Sequence, residues 1–399
     1  MKIEIKAGRA CGSVNAPASK SFAHRMMICA ALARGRSVID GISESEDMLA
    51  TLDCITAMGA KCTLESGRLS VDGTGGSFSG TPEFHCRESG STLRFLLPVA
   101  LSAGNGGIFT GTPRLMERGI GIYENLFSQK GIKIVNDEKI SVCGKLTSGE
   151  YVLPGNVSSQ FVSGLLFALP LLDGDSTVKI LPPVESRAYI DITAAVEKQF
   201  GVEVTETERN VFSIKGNQRF KAVNARVEGD WSNAAFLFAL NALGGSVTVD
   251  GLNENSLQGD KICIELFKQL EAPDARIDVS ACPDLAPILF AVAAAKHGAH
   301  FTGTARLKIK ESDRAAVMTE ELAKFGVKSV LGENDVTVFG GLKAPTRELF
   351  GHNDHRIVMA LSVLSSITGG VIDGAQAVRK SYPDFFETLS RLGTEVRTI

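Results

Sequence analysis

Six times along this chain a short polar cluster opens onto a stretch that is apolar on nearly every side. A glycine, a short β-branched run and a second, amphipathic stretch then follow. The clusters are Lys20-Ser21, Gly90-Ser91, Ser158-Ser159-Gln160, Asp230-Trp231-Ser232, Pro283-Asp284 and Asp354-His355-Arg356. Their spacing, roughly 50 to 75 residues, is that of a repeated supersecondary unit. The apolar stretches predict helices over 21–33, 91–103, 159–172, 232–243, 284–296 and 355–368, and a helix without a polar face must be buried all round. Each start carries a residue suited to capping, and each end a glycine (Gly35, Gly104, Gly174, Gly244, Gly298, Gly369) where a left-handed cap costs least. The second helices, such as 47–58, 190–200 and 314–325, have the two-faced pattern of a surface helix and also stop at glycine.

Strands are expected at 2–6, 37–40, 139–142, 246–249 and 335–339, where β-branched or alternating residues occur. The class is therefore mixed α and β, with three units before about residue 221 and three after it. We expect two lobes, one over 14–225 and a discontinuous one over 1–13 and 226–399. The two crossings would lie near 13–18 and 221–228, where strand-like connections can act as a hinge.

With 399 residues, 44% hydrophobic and 22% charged, the chain can bury large cores, and its formal net charge of -3 argues against nucleic acid held by general charge. The eight cysteines show no CxxC pair and no His/Cys spacing suited to zinc, so neither metal nor cofactor is expected. No apolar run reaches the roughly 20 residues that cross a membrane, and the start alternates like a strand rather than a signal peptide. A reduced, cytoplasmic protein, monomeric and free of membrane, is the expectation.

Helix starts carry positive dipole ends and unpaired N–H groups, so several aimed at one cleft would bind anions. Lys20 lies beside a helix start with Arg25 about a turn further in, although an isolated Ser-Lys-Ser reads equally well as a solvated helix start. Lys310-Glu311-Ser312-Asp313-Arg314 and Asp354-His355-Arg356 each put an arginine beside carboxylates at a helix head, where the dipole disfavours positive charge. With Arg118 and Lys380 added, the set points to anionic ligands. Ser158-Ser159-Gln160 offers short donors for a phosphate. Asp284 is either an N-cap, the preferred reading on position alone, or a buried-edge carboxylate able to act as a base. The glycine-rich 73–77 segment reads as a turn.

Taken together, seven ordered motifs resemble the enolpyruvyltransferases that act on shikimate 3-phosphate, the EPSP synthase family. They are Ala18 to Arg25, Glu88 to Arg94, Gly111 to Arg118, Ser158 to Gln160, Ile309 to Arg314, Asp354 to Arg356 and Arg379 to Asp384. The resemblance spans essentially the whole chain. It implies two similar lobes, each of three β/α units with buried inward helices, an inverse α/β barrel. It implies transfer of the 1-carboxyvinyl group of phosphoenolpyruvate to the 5-hydroxyl of shikimate 3-phosphate, with release of phosphate. By resemblance Lys20, Ser21, Arg25, Ser158, Ser159, Gln160, Ser186, Tyr189, Asp284 and Lys310 would hold shikimate 3-phosphate. Lys20, Gly90, Arg118, Gln160, Arg314, Arg356 and Lys380 would hold phosphoenolpyruvate. Asp284 would take the hydroxyl proton with support from Lys310, Glu311 would protonate the methylene carbon, and Lys20 would complete the catalytic set. Glu88, Phe95 and Arg306 depart from the family pattern, which often has asparagine, proline and a neutral amide there. A sister enzyme acting on UDP-N-acetylglucosamine typically has Lys-Asn at the first helix and a reactive loop cysteine, where this chain has Lys20-Ser21 and Leu115-Met116. A non-catalytic anion-binding module would need neither Asp284 nor Glu311.

Overall fold

The computed structural model describes residues 1–399. The chain divides into two compact units, Ala18–Glu228 and Met1–Pro17 with Gly229–Ile399. Each boundary lies three or four residues beyond the expected lobe limit, within or at the end of the expected crossing, because of strand pairing. Cys11–Asn15 pairs in parallel with Ser246–Asp250 and so stays with the discontinuous unit, whereas Asn224–Arg226 pairs in parallel with Arg34–Asp40 of the other.

In the Ala18–Glu228 unit, three inner helices, Lys20–Leu32, Gly90–Ala103 and Ser159–Ala168, pack together and are buried along most of their length. Outer helices at Glu46–Ala57, Gly121–Ser128 and Ala188–Gln199 show two-faced burial. Three four-stranded sheets complete the unit. In the sheet holding Gly149–Pro154 and Ser176–Leu181, those strands are parallel because an inner helix crosses between them, and the Val204–Glu208/Val211–Ile214 hairpin adds antiparallel strands. The glycine-rich segment ends the strand Arg68–Thr74, as a turn.

The other unit repeats the plan with inner helices Trp231–Ala242, Ala286–Ala295 and His355–Thr368. Two departures from strict repetition emerge. The unit after Trp231–Ala242 has no hairpin, and its sheet holds only Cys11–Asn15 and Ser246–Asp250. The last unit supplies one strand, Val396–Thr398, after its outer helix, and the N-terminal strand Lys2–Ile5 fills the missing place between Gly370–Asp373 and Val396–Thr398. Each unit has its own continuous apolar core.

The glycine stops act in two ways. Gly244 and Gly369, at φ 94° and 73°, close their helices in the left-handed region, whereas Gly35 and Gly298, at 102° and 85°, already belong to the following strands Arg34–Asp40 and Gly298–Thr302. Gly104, at φ −135°, and Gly174 are there for space instead: a Cβ would fall 2.4 Å from the Phe78 ring and 2.5 Å from Ser148 Oγ. The expected helix 159–172 tightens after Ala168 into a 3-10 turn, Leu169–Leu171, with Pro170 inside it.

Candidate active site

In the Ala18–Glu228 unit the expected residues gather at the starts of the three inner helices. Ser158 caps its helix by accepting from the Gln160 N–H at 3.3 Å, and Ser159 and Gln160 open the first turn. Gln160 Nε2 donates to Ser91 Oγ at 2.9 Å while its Oε1 accepts from Arg94 Nη1 at 2.7 Å, so the starts of two inner helices are tied together. Arg94 also donates to the carbonyls of Arg118 and Gly119, both at 3.2 Å, and its guanidinium lies over the Phe161 ring. Arg94 was not among the expected site residues. A lone charge in the otherwise apolar Gly90–Ala103 helix is the signal that marks it. Space is tight at Gly90: a Cβ would stand 3.0 Å from Arg118 Nη2 and press on that guanidinium.

Lys20 opens its helix, and its Nζ pairs with Asp47 Oδ2 at 2.8 Å. The helix-cap expectation fails here, because Ser19 makes no side-chain cap bond. Ser21 is half-buried beside it. Arg25 is 3% exposed, and its guanidinium donates to the protein at four points, Nε to Thr193 Oγ1, Nη1 to the Ser21 carbonyl, and Nη2 to Ser163 Oγ and the Tyr189 carbonyl. It sits 4.9 Å over the Phe95 ring, which gives that departure from the family pattern a packing role. Burial lowers the Arg25 pKa to about 10. Arg25 thus positions Ser21 and Tyr189 through their backbones. Ser186, buried and left-handed at φ 54°, lies one turn before Tyr189.

The second set belongs to the other unit. Asp284 is not a cap: Leu285 takes that position, without a side-chain bond. Its Oδ1 instead accepts from Lys310 Nζ at 3.0 Å and Arg314 Nη1 at 2.7 Å, with Arg356 Nη2 at 4.0 Å from Oδ2. Burial opposes ionisation of Asp284, yet Lys310, Arg314 and Arg356 outweigh it and hold the carboxyl well below its usual range. Lys310 is lowered from its ordinary value, first by burial and partly restored by Asp284. Arg314, 1% exposed, joins three carboxylates: Asp284, Glu311 at 2.7 Å and Asp354, which accepts from its Nε at 2.8 Å. Burial alone would lower its pKa, and the three anions raise it.

Asp354 caps the His355–Thr368 helix by accepting from the Arg356 N–H at 2.9 Å. Arg356 Nη1 reaches the Ser232 carbonyl at 2.9 Å, which links two inner-helix starts, and Lys380 donates to the Asn353 carbonyl. Asp260, also missed from the sequence, is 3% exposed; burial first, then Asp284, pushes its carboxyl up to about 6. Each unit therefore presents buried or half-buried cations at the starts of helices. His24, one turn into the Lys20–Leu32 helix, is buried, bonds Thr51 Oγ1 at 2.7 Å and is held neutral by burial and the neighbouring Lys20 and Arg25.

Helix starts that bear paired carboxylates and cations, carried on repeated βα units, suit anionic ligands and proton transfer. Residues 6–389 match the EPSP synthase family, 3-phosphoshikimate 1-carboxyvinyltransferase. The 3-phosphoshikimate 1-carboxyvinyltransferase of Clostridium kluyveri is 40% identical over 407 residues, covering 96% of each chain. That of Clostridium perfringens is 39% identical and covers 99% of each. The EPSP synthase structure from Acinetobacter baumannii superposes with a TM-score of 0.81 at 26% identity, over 100% of both chains. The chain belongs to the EPSP synthase family. No helix is long and apolar enough to cross a membrane.

Proposed function

We propose a division of labour between the two units for the family reaction, in which the enolpyruvyl group of phosphoenolpyruvate passes to the 5-hydroxyl of shikimate 3-phosphate and phosphate is released. This is a step of chorismate and aromatic amino-acid biosynthesis, and the chain is a transferase. Ser158, Ser159 and Ser186 hold the shikimate phosphate with hydroxyl and backbone donors. Ser21 and Tyr189 place the ring, with Arg25 setting their backbones, and Lys20 and Gln160 reach both substrates. Gly90 leaves room for Arg118, which with Arg314, Arg356 and Lys380 receives phosphoenolpyruvate.

In the addition step the 5-hydroxyl oxygen bonds to C2 of phosphoenolpyruvate, its proton goes to Asp284, and C3 gains a proton from Glu311. The tetrahedral adduct then loses phosphate from C2, which carries off the proton held by Asp284, and the proton lost from C3 returns to Glu311, so the double bond and both carboxyl groups are restored. Lys310 steadies the charge on Asp284 during transfer. The preorganised cations stabilise two anions brought together against their own repulsion.

The observation that carries the reading is the Asp284–Lys310–Arg314–Glu311 cluster: two carboxylates, each fixed by arginine, on one buried guanidinium. A non-catalytic anion binder gains nothing from carboxylates there. Phosphate release measured with both substrates, and absent with either alone, tests the function. A monomeric, cytoplasmic enzyme using no cofactor and binding no nucleic acid completes the proposal; sedimentation tests the first point.

A further inference from the structure

The helix Arg314–Lys324 grips the segment before Asp354 at two points seven residues apart on one face. At its start Arg314 binds Asp354. Two turns on, Glu321, fully buried, accepts from the Phe350 N–H at 3.0 Å, from His352 Nε2 at 2.8 Å and from Lys324 Nζ at 2.7 Å. His352, held by Glu321, and Asn353, just before Asp354, are consecutive non-glycine residues at φ 47° and 53°. Such a pair is strained and persists only where its surroundings over-determine it. The turn has a purpose in this reading, since the Asn353 carbonyl accepts from Lys380 Nζ and the next residues are Asp354 and Arg356.

We propose that Glu321 is a positioning residue for the phosphoenolpyruvate site, holding the left-handed His352–Asn353 turn so that Lys380 and Arg356 stand in register. The inference rests on the assignment of those two cations to phosphoenolpyruvate. Burial works against an ionised Glu321, but the hydrogen bonds from His352, Lys324 and the Phe350 N–H hold its carboxyl below the usual range. Glu320, Glu321 and His352 offer three ligand atoms within 4.8 Å of one another, an arrangement that could attract a metal ion. The Lys324 ammonium already stands at Glu321 as its counter-ion, which favours the positioning role.

The test uses the full-length chain with Glu321→Gln, His352→Ala, Glu320→Gln and the double variant Glu321→Gln/Asn353→Gly. Loss of positioning removes binding common to ground and transition states, so Glu321→Gln should raise KM for phosphoenolpyruvate about tenfold while kcat stays within about threefold. His352→Ala, which leaves the buried Glu321–Lys324 pair intact, should act in the same direction. Binding of shikimate 3-phosphate, titrated alone, should not change. Because glycine adopts positive φ without strain, the added Asn353→Gly should return KM most of the way to the parent value. Glu320→Gln should match the parent throughout. An unaltered KM in folded Glu321→Gln and His352→Ala, even with a lowered melting temperature, would overturn the proposal. So would a Glu320→Gln defect reversed by added divalent metal. If the parent itself released no phosphate, the functional reading would fail; if the parent is active and only these KM shifts are missing, the positioning role alone fails.

Discussion

Replacing Asp284 by asparagine removes one negative charge at nearly constant size. In the free protein that carboxylate stands 3.0 Å from Lys310 Nζ, 2.7 Å from Arg314 Nη1 and 4.0 Å from Arg356 Nη2. Unit charges 4 Å apart interact by about 4 kcal/mol at an effective dielectric near 20, so three cations overcome the cost of burial. Arg314 keeps Asp354 and Glu311 in the variant, and the Asp284 side chain is 22% exposed, so we expect a stability loss of only about 1–3 kcal/mol. That loss should be present at neutral pH and shrink in strong acid, because a depressed carboxyl gives up its stabilisation as pH falls through its folded pKa. Turnover should fall at least about a hundredfold, some 2.7 kcal/mol of barrier, the lower bound for a lost general base. Shikimate 3-phosphate should still bind within about tenfold of the parent, since one hydrogen bond of several is weakened. The parent should also show a pH signature. Bound anions offset the cations around Asp284, so the acid limb of kcat should lie above that of kcat/KM, which reports the free enzyme. Phosphate release from pH 4 to 9, with melting curves and binding titrations, measures all of this. Turnover within tenfold of the parent in folded Asp284→Asn would refute the assignment of the base.

Three other outcomes are expected. Lys20→Ala leaves Asp47 as an uncompensated carboxylate beside an anion site, so it should cost at least about 3 kcal/mol of transition-state stabilisation, and adding Asp47→Asn should recover part of the substrate affinity; equal defects in the single and double variants would contradict that pairing. Glu311→Gln should slow turnover more than binding and suppress solvent deuterium exchange into the methylene of phosphoenolpyruvate, and undiminished exchange, read by NMR, would remove Glu311 as the acid. Glu197 is fully buried, accepts no hydrogen bond at either oxygen, and has its pKa raised by burial, with Arg25 only partly opposing. A raised carboxyl loses stability as pH climbs from about 4.3 through its folded pKa, so Glu197→Met should gain about 1–3 kcal/mol over the parent at pH 8 and least at pH 4; a pH-independent difference in urea midpoints would argue against a neutral buried acid.

Residue order alone was enough to read the sixfold repeat, the all-round burial of the inner helices, the family, and motifs suited to anionic ligands. These are carried by periodicity, by cap and stop residues, and by short motifs in which the functional residues are neighbours in the chain. Helix 355–368 and strand 335–339 came out with the observed bounds because local preference and tertiary burial agree there. Whatever depends on partners far apart in the chain was legible only after folding had brought them together. The N-terminal strand completes the last unit through Lys2–Ile5, a pairing that no local pattern encodes. Position alone preferred a cap for Asp284, because a carboxylate after proline and before an apolar run fits that pattern; cations 26, 30 and 72 residues away make it an ion-pair centre instead. Arg25 was expected only as a ligand contact, whereas Thr193, Ser163 and Tyr189 from other helices also accept from its guanidinium, a positioning role that position in the chain does not reveal. Arg94, Asp260 and Glu321 show the same limit, since what a buried charge does is set by the partners that folding brings to it.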